Sequence, residues 1–70
     1  MKTRDLRKIL KEKGCTQVHT VGSHEKWSAP GGHSTIVKAG AKEQAPGTLR
    51  EIQKHLAPEL GDKWLEEGQE

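Results

Sequence analysis

The order of two periodic patterns along the chain constrains its fold more than any other feature. Apolar residues recur at helical spacing, every three or four positions, in residues 3–13 and again in residues 48–56. The stretch between them, residues 15–39, is rich in Val and Thr and is interrupted by glycines, which is typical of short strands joined by turns. The sequence therefore predicts a helix, a small β-sheet and a second helix.

Turn residues divide the middle stretch into three predicted strands. Gly22 separates the first strand, residues 15–21, from the second, residues 23–29. The run Pro-Gly-Gly-His at residues 30–33 supplies turn chemistry before a third strand over residues 34–39. Strands joined by such short turns pair in antiparallel fashion, so we expect a three-stranded meander.

Local signals predict where the two helices begin and end. Thr3 is expected to cap the first helix, and Gly14 is placed to end it. Thr48, followed three residues later by Glu51, has the form of a capping box for the second helix. Pro58 is expected to end or kink that helix.

The predicted fold belongs to the α+β class and has the order α-β-β-β-α. A three-stranded antiparallel sheet has to bury one face, and two amphipathic helices are available to cover it, which leaves the opposite face open.

A short C-terminal helix should follow, because Leu60 and Trp64 lie four positions apart. We expect Trp64 to pack against the domain or a partner protein rather than to stack on a base. The expected core consists of ten apolar residues: Leu6, Ile9, Leu10, Val18, Trp27, Ile36, Val37, Leu49, Ile52 and Leu56.

The charge distribution favours a polyanionic partner. Residues 1–58 contain 11 Lys and Arg against 5 Asp and Glu, whereas residues 59–70 contain 1 against 5. A basic body suits nucleic acid or an acidic protein surface. The basic residues of the first helix could follow a phosphate backbone or form an ordinary solvated surface, and the sequence favours neither; they are Lys2, Arg4, Arg7, Lys8, Lys11 and Lys13.

Cysteine usage and hydropathy exclude two classes of protein. Cys15 is the only cysteine, so an intramolecular disulfide cannot form, which argues against a disulfide-stapled secreted protein. Residues 1–14 are too charged for a signal peptide, and no apolar run approaches the length that spans a membrane. We therefore expect a cytoplasmic protein without a membrane partner.

Strand alternation predicts that His24 lies on the open face of the sheet. Along the second strand, His24 and Lys26 point to the side opposite Trp27. Trp27 is the large apolar residue of this strand, so its side should meet the helices. If Val37 also faces the helices, Lys38 lies on the open face beside the second strand.

A histidine among ammonium groups has the chemistry to cleave RNA. A histidine ionises near neutral pH, so it can remove the proton from a 2′-hydroxyl that attacks the adjacent phosphate, or protonate the departing 5′-oxygen. Nearby cations such as Lys26 and Lys38 would stabilise the charge on the phosphorane. Gly22 would let RNA approach the backbone, and Ser23 could donate a hydrogen bond to phosphate. This chemistry needs no metal or other cofactor.

Four segments follow one another in an order and spacing that are characteristic of one protein family: MKTRDLRKILKEKG at 1–14, GSHEKW at 22–27, TIVKA at 35–39 and PGTLREIQKHL at 46–56. In these segments the chain resembles the HicA family, the ribonuclease toxins of type II toxin–antitoxin pairs. The resemblance covers about residues 1–57, which we interpret as one domain, with residues 58–70 as a short acidic C-terminal helix or tail.

The resemblance implies a fold like that of double-stranded-RNA-binding domains and the activity of an mRNA interferase. It also implies that the histidine of the G-S-H box, His24, is the single catalytic residue. The expected partners are mRNA as the substrate and a HicB-type antitoxin that covers the active region; contact with DNA is expected only through the antitoxin. The chain departs from the family in the loop after the third strand, which offers only Lys38 and Lys42 where a further histidine is frequent.

Other readings of the same residues stay open. The chain could be a non-catalytic RNA-binding module of the same fold, or a protein-interaction domain with a basic face. We expect ordinary surface roles for His19, His33 and His55, and a packing role for Cys15. A zinc site is disfavoured because it would need Cys15 and three histidines gathered from three strands.

Overall fold

The computed structural model describes residues 1–67 and has the predicted order of elements. Six elements follow one another: α1 (Thr3–Glu12), β1 (Thr16–Val21), β2 (His24–Ser28), β3 (Ser34–Lys38), α2 (Pro46–Leu60) and α3 (Trp64–Glu67). The α+β class and the three-stranded antiparallel sheet are therefore confirmed. No helix within this part of the chain is long and apolar enough to cross a membrane.

The sheet is a meander with the strand order β1-β2-β3, and both strand pairs are antiparallel. Gly22 and Ser23 form the two-residue turn between β1 and β2, and Gly22 has a φ of 57°, which glycine adopts without strain. At the other end of β2, the Ala29 N–H donates to the carbonyl of His33, which closes the predicted turn. A shift of register between Gln17 and His19 marks a β-bulge in β1.

Both long helices cover the same face of the sheet, called the inner face below. Glu25 of β2 points to this face and pairs with Arg7 of α1. Thr35 of β3 points to the same face, and its hydroxyl lies 3.0 Å from Nδ1 of His55 on α2. The opposite face, called the outer face, carries no helix within the described residues, as the sequence predicted.

The core lies between the inner face and the helices, and most of its predicted members are buried. Val18 and Ile36 were expected there, but they are 53% and 45% exposed. Val18 lies at the bulge of the edge strand β1, all of whose residues are exposed. Ile36 alternates with the fully buried Val37, so it points to the outer face.

The start of each helix differs from the prediction. At α1, the hydroxyl of Thr3 does not cap the helix, because it is hydrogen-bonded to another part of the chain. Thr3 is the first residue of α1 rather than its cap, and its hydroxyl accepts a hydrogen bond from Nε2 of Gln44 at 2.8 Å. α2 begins at Pro46, two residues before Thr48, so the capping box is not formed. Proline suits the first helical position because its missing N–H is not needed there.

α2 also continues further than predicted, through Pro58 to Leu60. Pro58 lies in the last turn, where its missing N–H costs the helix a single hydrogen bond. Gly61, with a φ of 99°, then ends the helix. The core consequently extends into α3, where Trp64 and Leu65 are buried and the indole N–H of Trp64 donates to the Gln53 carbonyl at 2.9 Å.

Candidate active site

His24 is the first residue of β2, and its side chain is exposed on the outer face. Its neighbours across the sheet are Val21 of β1 and Lys38 of β3. Side chains directly opposite each other in an antiparallel pair have Cβ atoms about 4.5–5.5 Å apart. Within residues 1–67 the imidazole of His24 makes no hydrogen bond or ion pair, so both ring nitrogens are accessible to a ligand.

Lys26 extends the cationic surface around His24 along the same strand. It lies two residues further on and is exposed, so it shares the outer face with His24. Its cross-strand neighbours are His19 of β1 and Ile36 of β3. The outer face therefore combines ammonium groups and imidazoles with exposed aliphatic side chains.

The turn before His24 is held against the end of β3. The Ala39 N–H donates to the carbonyl of Ser23 at 2.6 Å. A Cβ atom added to Gly40 would lie 3.0 Å from Cβ of Ser23, so a larger residue at this position would require the Ser23 side chain to move by a few tenths of an ångström. Four of the predicted site residues thus lie at one end of the sheet, namely Gly22, Ser23, His24 and Lys38, and Lys26 lies at the middle of β2.

A buried ion pair lies on the inner face directly behind this site. Arg7 donates from Nε to Oε1 of Glu25 at 3.0 Å and from Nη2 to Oε2 at 2.9 Å. The indole N–H of Trp27 donates to the same carboxylate at 3.1 Å. The hydrogen bonds from Arg7 hold the pKa of Glu25 below its ordinary value of 4.5, although burial opposes them, and the Trp27 N–H acts in the same direction.

Alternation along β2 places Glu25 on the same side of the strand as Trp27, but no feature of the sequence assigns it a function. A carboxylate among core residues requires a cationic partner, because an unpaired buried charge is costly. The position of Glu25 on the Trp27 side of the strand was therefore the sequence signal for a cationic partner. Only the packing of α1 on the sheet identifies Arg7, among six basic residues near the N-terminus, as the partner.

The other histidines lie apart from one another. His33, in the β2–β3 turn, places Nδ1 3.0 Å from Oε1 of Glu59, whereas His55 contacts Thr35. His19 is exposed on β1. No group of three or more His, Cys, Asp or Glu residues within the described part of the chain could hold a metal ion.

Cys15 is buried beside the core, as expected for a packing residue. Burial raises the pKa of its thiol above the ordinary value, and the carboxylate of Glu59 adds to this effect. A thiol in such surroundings is a poor nucleophile, because the reactive form is the thiolate.

One of three comparisons with known proteins finds a match. No curated protein and no solved structure matches the chain. The family model described as the HicA toxin of bacterial toxin–antitoxin systems matches residues 3–57. This segment runs from the first residue of α1 into α2 and includes the whole sheet with His24. The chain therefore belongs to the HicA family of bacterial toxins, which act within toxin–antitoxin systems and are paired with a cognate antitoxin.

Proposed function

We propose that this toxin is an endoribonuclease that cleaves mRNA with His24 as its catalytic residue and is neutralised by a HicB-type antitoxin. The observation that carries the proposal is the pairing of His24 with Lys38 across the outer face of the sheet. An exposed imidazole beside an exposed ammonium group provides a proton acceptor and a counter-charge for one phosphodiester. Because the chain belongs to a family of toxins, we expect the activity of this site to be toxic to the cell.

The surroundings of His24 suit an extended RNA strand. The outer face carries no helix within residues 1–67, so a polymer can lie across it. Lys26, two residues further along β2, and Lys38, across on β3, provide charge beside the imidazole, and the Gly22–Ser23 turn supplies a hydroxyl and a backbone without a bulky side chain. These contacts would be made to the sugar and phosphate rather than to base edges, so they position the strand without selecting a sequence.

The proposed reaction is an attack of the ribose 2′-oxygen on the adjacent phosphorus. Neutral His24 removes the 2′-hydroxyl proton as the bond from O2′ to phosphorus forms. The bond from phosphorus to O5′ then breaks, and O5′ takes the proton back from protonated His24, directly or through a water molecule. The ammonium group of Lys38 stabilises the negative charge that accumulates on the non-bridging oxygens. The products are a 2′,3′-cyclic phosphate and a 5′-hydroxyl end.

The outer face also suits the proposed antitoxin contact. Val18, Val21 and Ile36 are exposed aliphatic side chains close to the proposed site. A protein that buries them would gain hydrophobic free energy and would cover His24 at the same time. RNA gains little from aliphatic side chains, so these residues are better explained by a protein partner.

The test compares the purified wild-type chain with His24→Ala on a structured mRNA fragment. His24→Ala should lower the cleavage rate by about 10²–10⁴-fold, the range for loss of a general acid or base. The variant should fold normally, because an exposed side chain without protein partners changes stability by less than about 0.5 kcal/mol. In cells, expression of the wild type alone should arrest growth, and the variant should not.

His19→Ala is the matched control, because His19 is an exposed imidazole on the neighbouring strand. It should cleave RNA at nearly the wild-type rate. A substrate with 2′-deoxyribose at the cleavage site should resist the wild type. Undiminished cleavage by folded His24→Ala would contradict the proposal. RNA binding without any cleavage by the wild type would instead favour a non-catalytic RNA-binding module.

A further inference from the structure

A cationic cleft lies at the start of α1, next to the turn that precedes His24. It has a volume of about 320 Å³, and its walls come from the N-terminal segment and from the loop after β3. This cleft, called the α1 cleft below, is lined by eight residues: Lys2, Thr3, Arg4, Arg7, Ala39, Gly40, Ala41 and Lys42. Four of them carry positive charge, and none is Asp or Glu.

Most of this charge is not neutralised within the described residues. Lys2, Arg4 and Lys42 are exposed, and among them only Arg4 forms an ion pair within residues 1–67, with Asp5 at 3.8 Å. Glu43 follows Lys42 and lies opposite Lys2 in an isolated β-bridge, but neither lysine forms an ion pair with it within those residues. Both side chains of that pair are more than half exposed, so their mutual attraction is weak. Arg7 is different, because the carboxylate of Glu25 compensates its charge. The positive end of the α1 dipole adds to the potential of the three remaining cations.

Backbone hydrogen bonds hold the two walls of the α1 cleft together. The Thr3 N–H donates to the Lys42 carbonyl at 3.0 Å, and the Gln44 N–H donates to the Met1 carbonyl at 2.8 Å. Nε2 of Gln44 also donates to the Lys38 carbonyl at 3.0 Å. The cleft is consequently formed before a ligand arrives, which lowers the entropic cost of binding.

The α1 cleft is continuous with the proposed active site. Its residue Ala39 donates to the Ser23 carbonyl, and its residue Gly40 approaches the Ser23 side chain. Ser23 precedes His24, and Ala39 follows Lys38, which is the cross-strand neighbour of His24. A strand whose phosphate lies beside His24 can therefore pass over this end of the sheet and present a neighbouring phosphate to the cleft.

We propose that the α1 cleft binds a backbone phosphate of the same RNA strand that His24 cleaves, and so acts as a second phosphate site that positions the substrate. The inference depends on the proposed function for the identity of the strand. A phosphate fits better than an acidic protein segment, because the loop wall offers the charge of Lys42 beside three small residues, Ala39, Gly40 and Ala41, and no large apolar surface. The exposed aliphatic residues that a protein would bury lie on the outer face instead.

The test measures RNA binding in the His24→Ala background, where the substrate stays intact. Lys42→Gln removes one cleft charge and leaves the carbonyl of residue 42 in place for Thr3. Lys8→Gln is the matched control, because Lys8 is an exposed lysine of α1 that does not line the cleft. The probe is a short single-stranded RNA, and its affinity is measured over a range of KCl concentrations.

Lys42→Gln should weaken binding about threefold to tenfold at low salt and flatten the slope of log K against log salt by about 0.7, the value for one phosphate contact on a single strand. Lys8→Gln should leave the slope nearly unchanged. In the chain that retains His24, Lys42→Gln should raise KM for RNA with little effect on kcat. The reason is that the contact between Lys42 and the phosphate is the same in the bound substrate and in the transition state.

The two proposals fail in different ways. If the wild type cleaves RNA through His24 but Lys42→Gln and Lys8→Gln bind RNA equally, the α1 cleft is not a phosphate site. The same conclusion follows if Lys42→Gln weakens only the complex with the antitoxin. If the wild type does not cleave RNA, yet Lys42→Gln alone flattens the salt dependence, the cleft binds RNA and the ribonuclease proposal is wrong.

Discussion

The guanidinium of Arg7 and the carboxylate of Glu25 form an ion pair with two hydrogen bonds, which connects α1 to the central strand. Glu25 directly follows His24 in the sequence. The carboxylate is 10% exposed and Arg7 is 34% exposed. Glu25 also accepts a hydrogen bond from the indole N–H of Trp27, so one acidic side chain connects a helix, a strand and one of the two tryptophans of the core. This connection fixes the backbone of β2, from which the side chain of His24 points to the opposite face.

Arg7→Leu should destabilise the fold, because it leaves the Glu25 carboxylate with the Trp27 N–H as its remaining side-chain donor. We expect a loss of about 2 kcal/mol, less than the roughly 3–5 for breaking a fully buried pair, since water can partly solvate the site. The measurement is urea unfolding, with Lys8→Leu on the exposed side of α1 as the control. A difference between the two variants below about 0.5 kcal/mol would contradict a stabilising role for the pair.

The pH dependence of stability should show the same ion pair. The pKa of Glu25 is lowered in the folded state, so the unfolded state binds the proton more tightly. The stabilisation is therefore complete above the ordinary value of 4.5 and is lost as the pH falls through the folded-state pKa.

Thermal unfolding of the wild type and Glu25→Gln checks this prediction between pH 7 and pH 2. The difference in Tm should be constant above pH 5 and shrink below about pH 4.5. The pKa of Glu59 is also lowered, chiefly by a hydrogen bond from the Gly31 N–H, but Glu59 is present in both proteins and its effect cancels in the comparison. A Tm difference that stays constant down to pH 2 would be inconsistent with a lowered pKa at Glu25.

Trp64→Ala should destabilise the whole domain, although Trp64 lies beyond the segment that matches the family. Its side chain is fully buried and its indole N–H donates to Gln53. We expect a loss of about 3–5 kcal/mol, as for other buried aromatic residues. Trp64→Phe, which keeps most of the ring, should cost much less. If Trp64→Ala unfolds like the wild type, the C-terminal segment does not contribute to the core.

Gly40→Ala should lower the cleavage rate about threefold to tenfold, because the new Cβ atom pushes against Ser23 and shifts the turn before His24. Gly47→Ala is the control, since a Cβ atom there meets no heavy atom within 4 Å. The control should keep full activity and gain stability, because alanine favours the helix more than glycine does. Equal cleavage by the two variants would exclude a role for the close approach of residues 23 and 40.

Lys38→Gln should lower kcat for RNA cleavage by about a hundredfold, the cost of removing one group that stabilises the transition-state charge. Its side chain is exposed, so the free energy of unfolding should change little. Lys54→Gln, an exposed lysine of α2, is the control for the loss of one positive charge. If both variants cleave RNA equally, Lys38 does not contact the reacting phosphate.

Local pattern was sufficient to predict which way the side chains of β2 point, but it left the orientation of β3 open, because Ile36 and Val37 are adjacent and both apolar. Alternation about Trp27 placed His24 and Lys26 on the open face, and the turn lengths made the strands antiparallel. Because these features depend on residues within a few positions of each other, they were readable without knowledge of the fold. Lys38 was expected on the open face beside β2 if Val37 faces inward, which the structure confirms, whereas its pairing with His24 is known only from the sheet register.

The remaining features depend on contacts between distant parts of the chain, so no local pattern could predict them. The bulge exposes Val18, although its residue type suits a core. Trp64 was expected to pack against the domain or a partner, and it packs against the domain. Its full burial in the core depends on α2, which continues past Pro58 and carries α3 back to the helices. Arg7 pairs with Glu25 across 18 positions of sequence. The sequence by itself determined the elements and the orientation of His24, because both follow from short-range periodicity. Tertiary packing decided the core boundary, the ion pair and the α1 cleft, because each joins side chains that only the folded chain brings together.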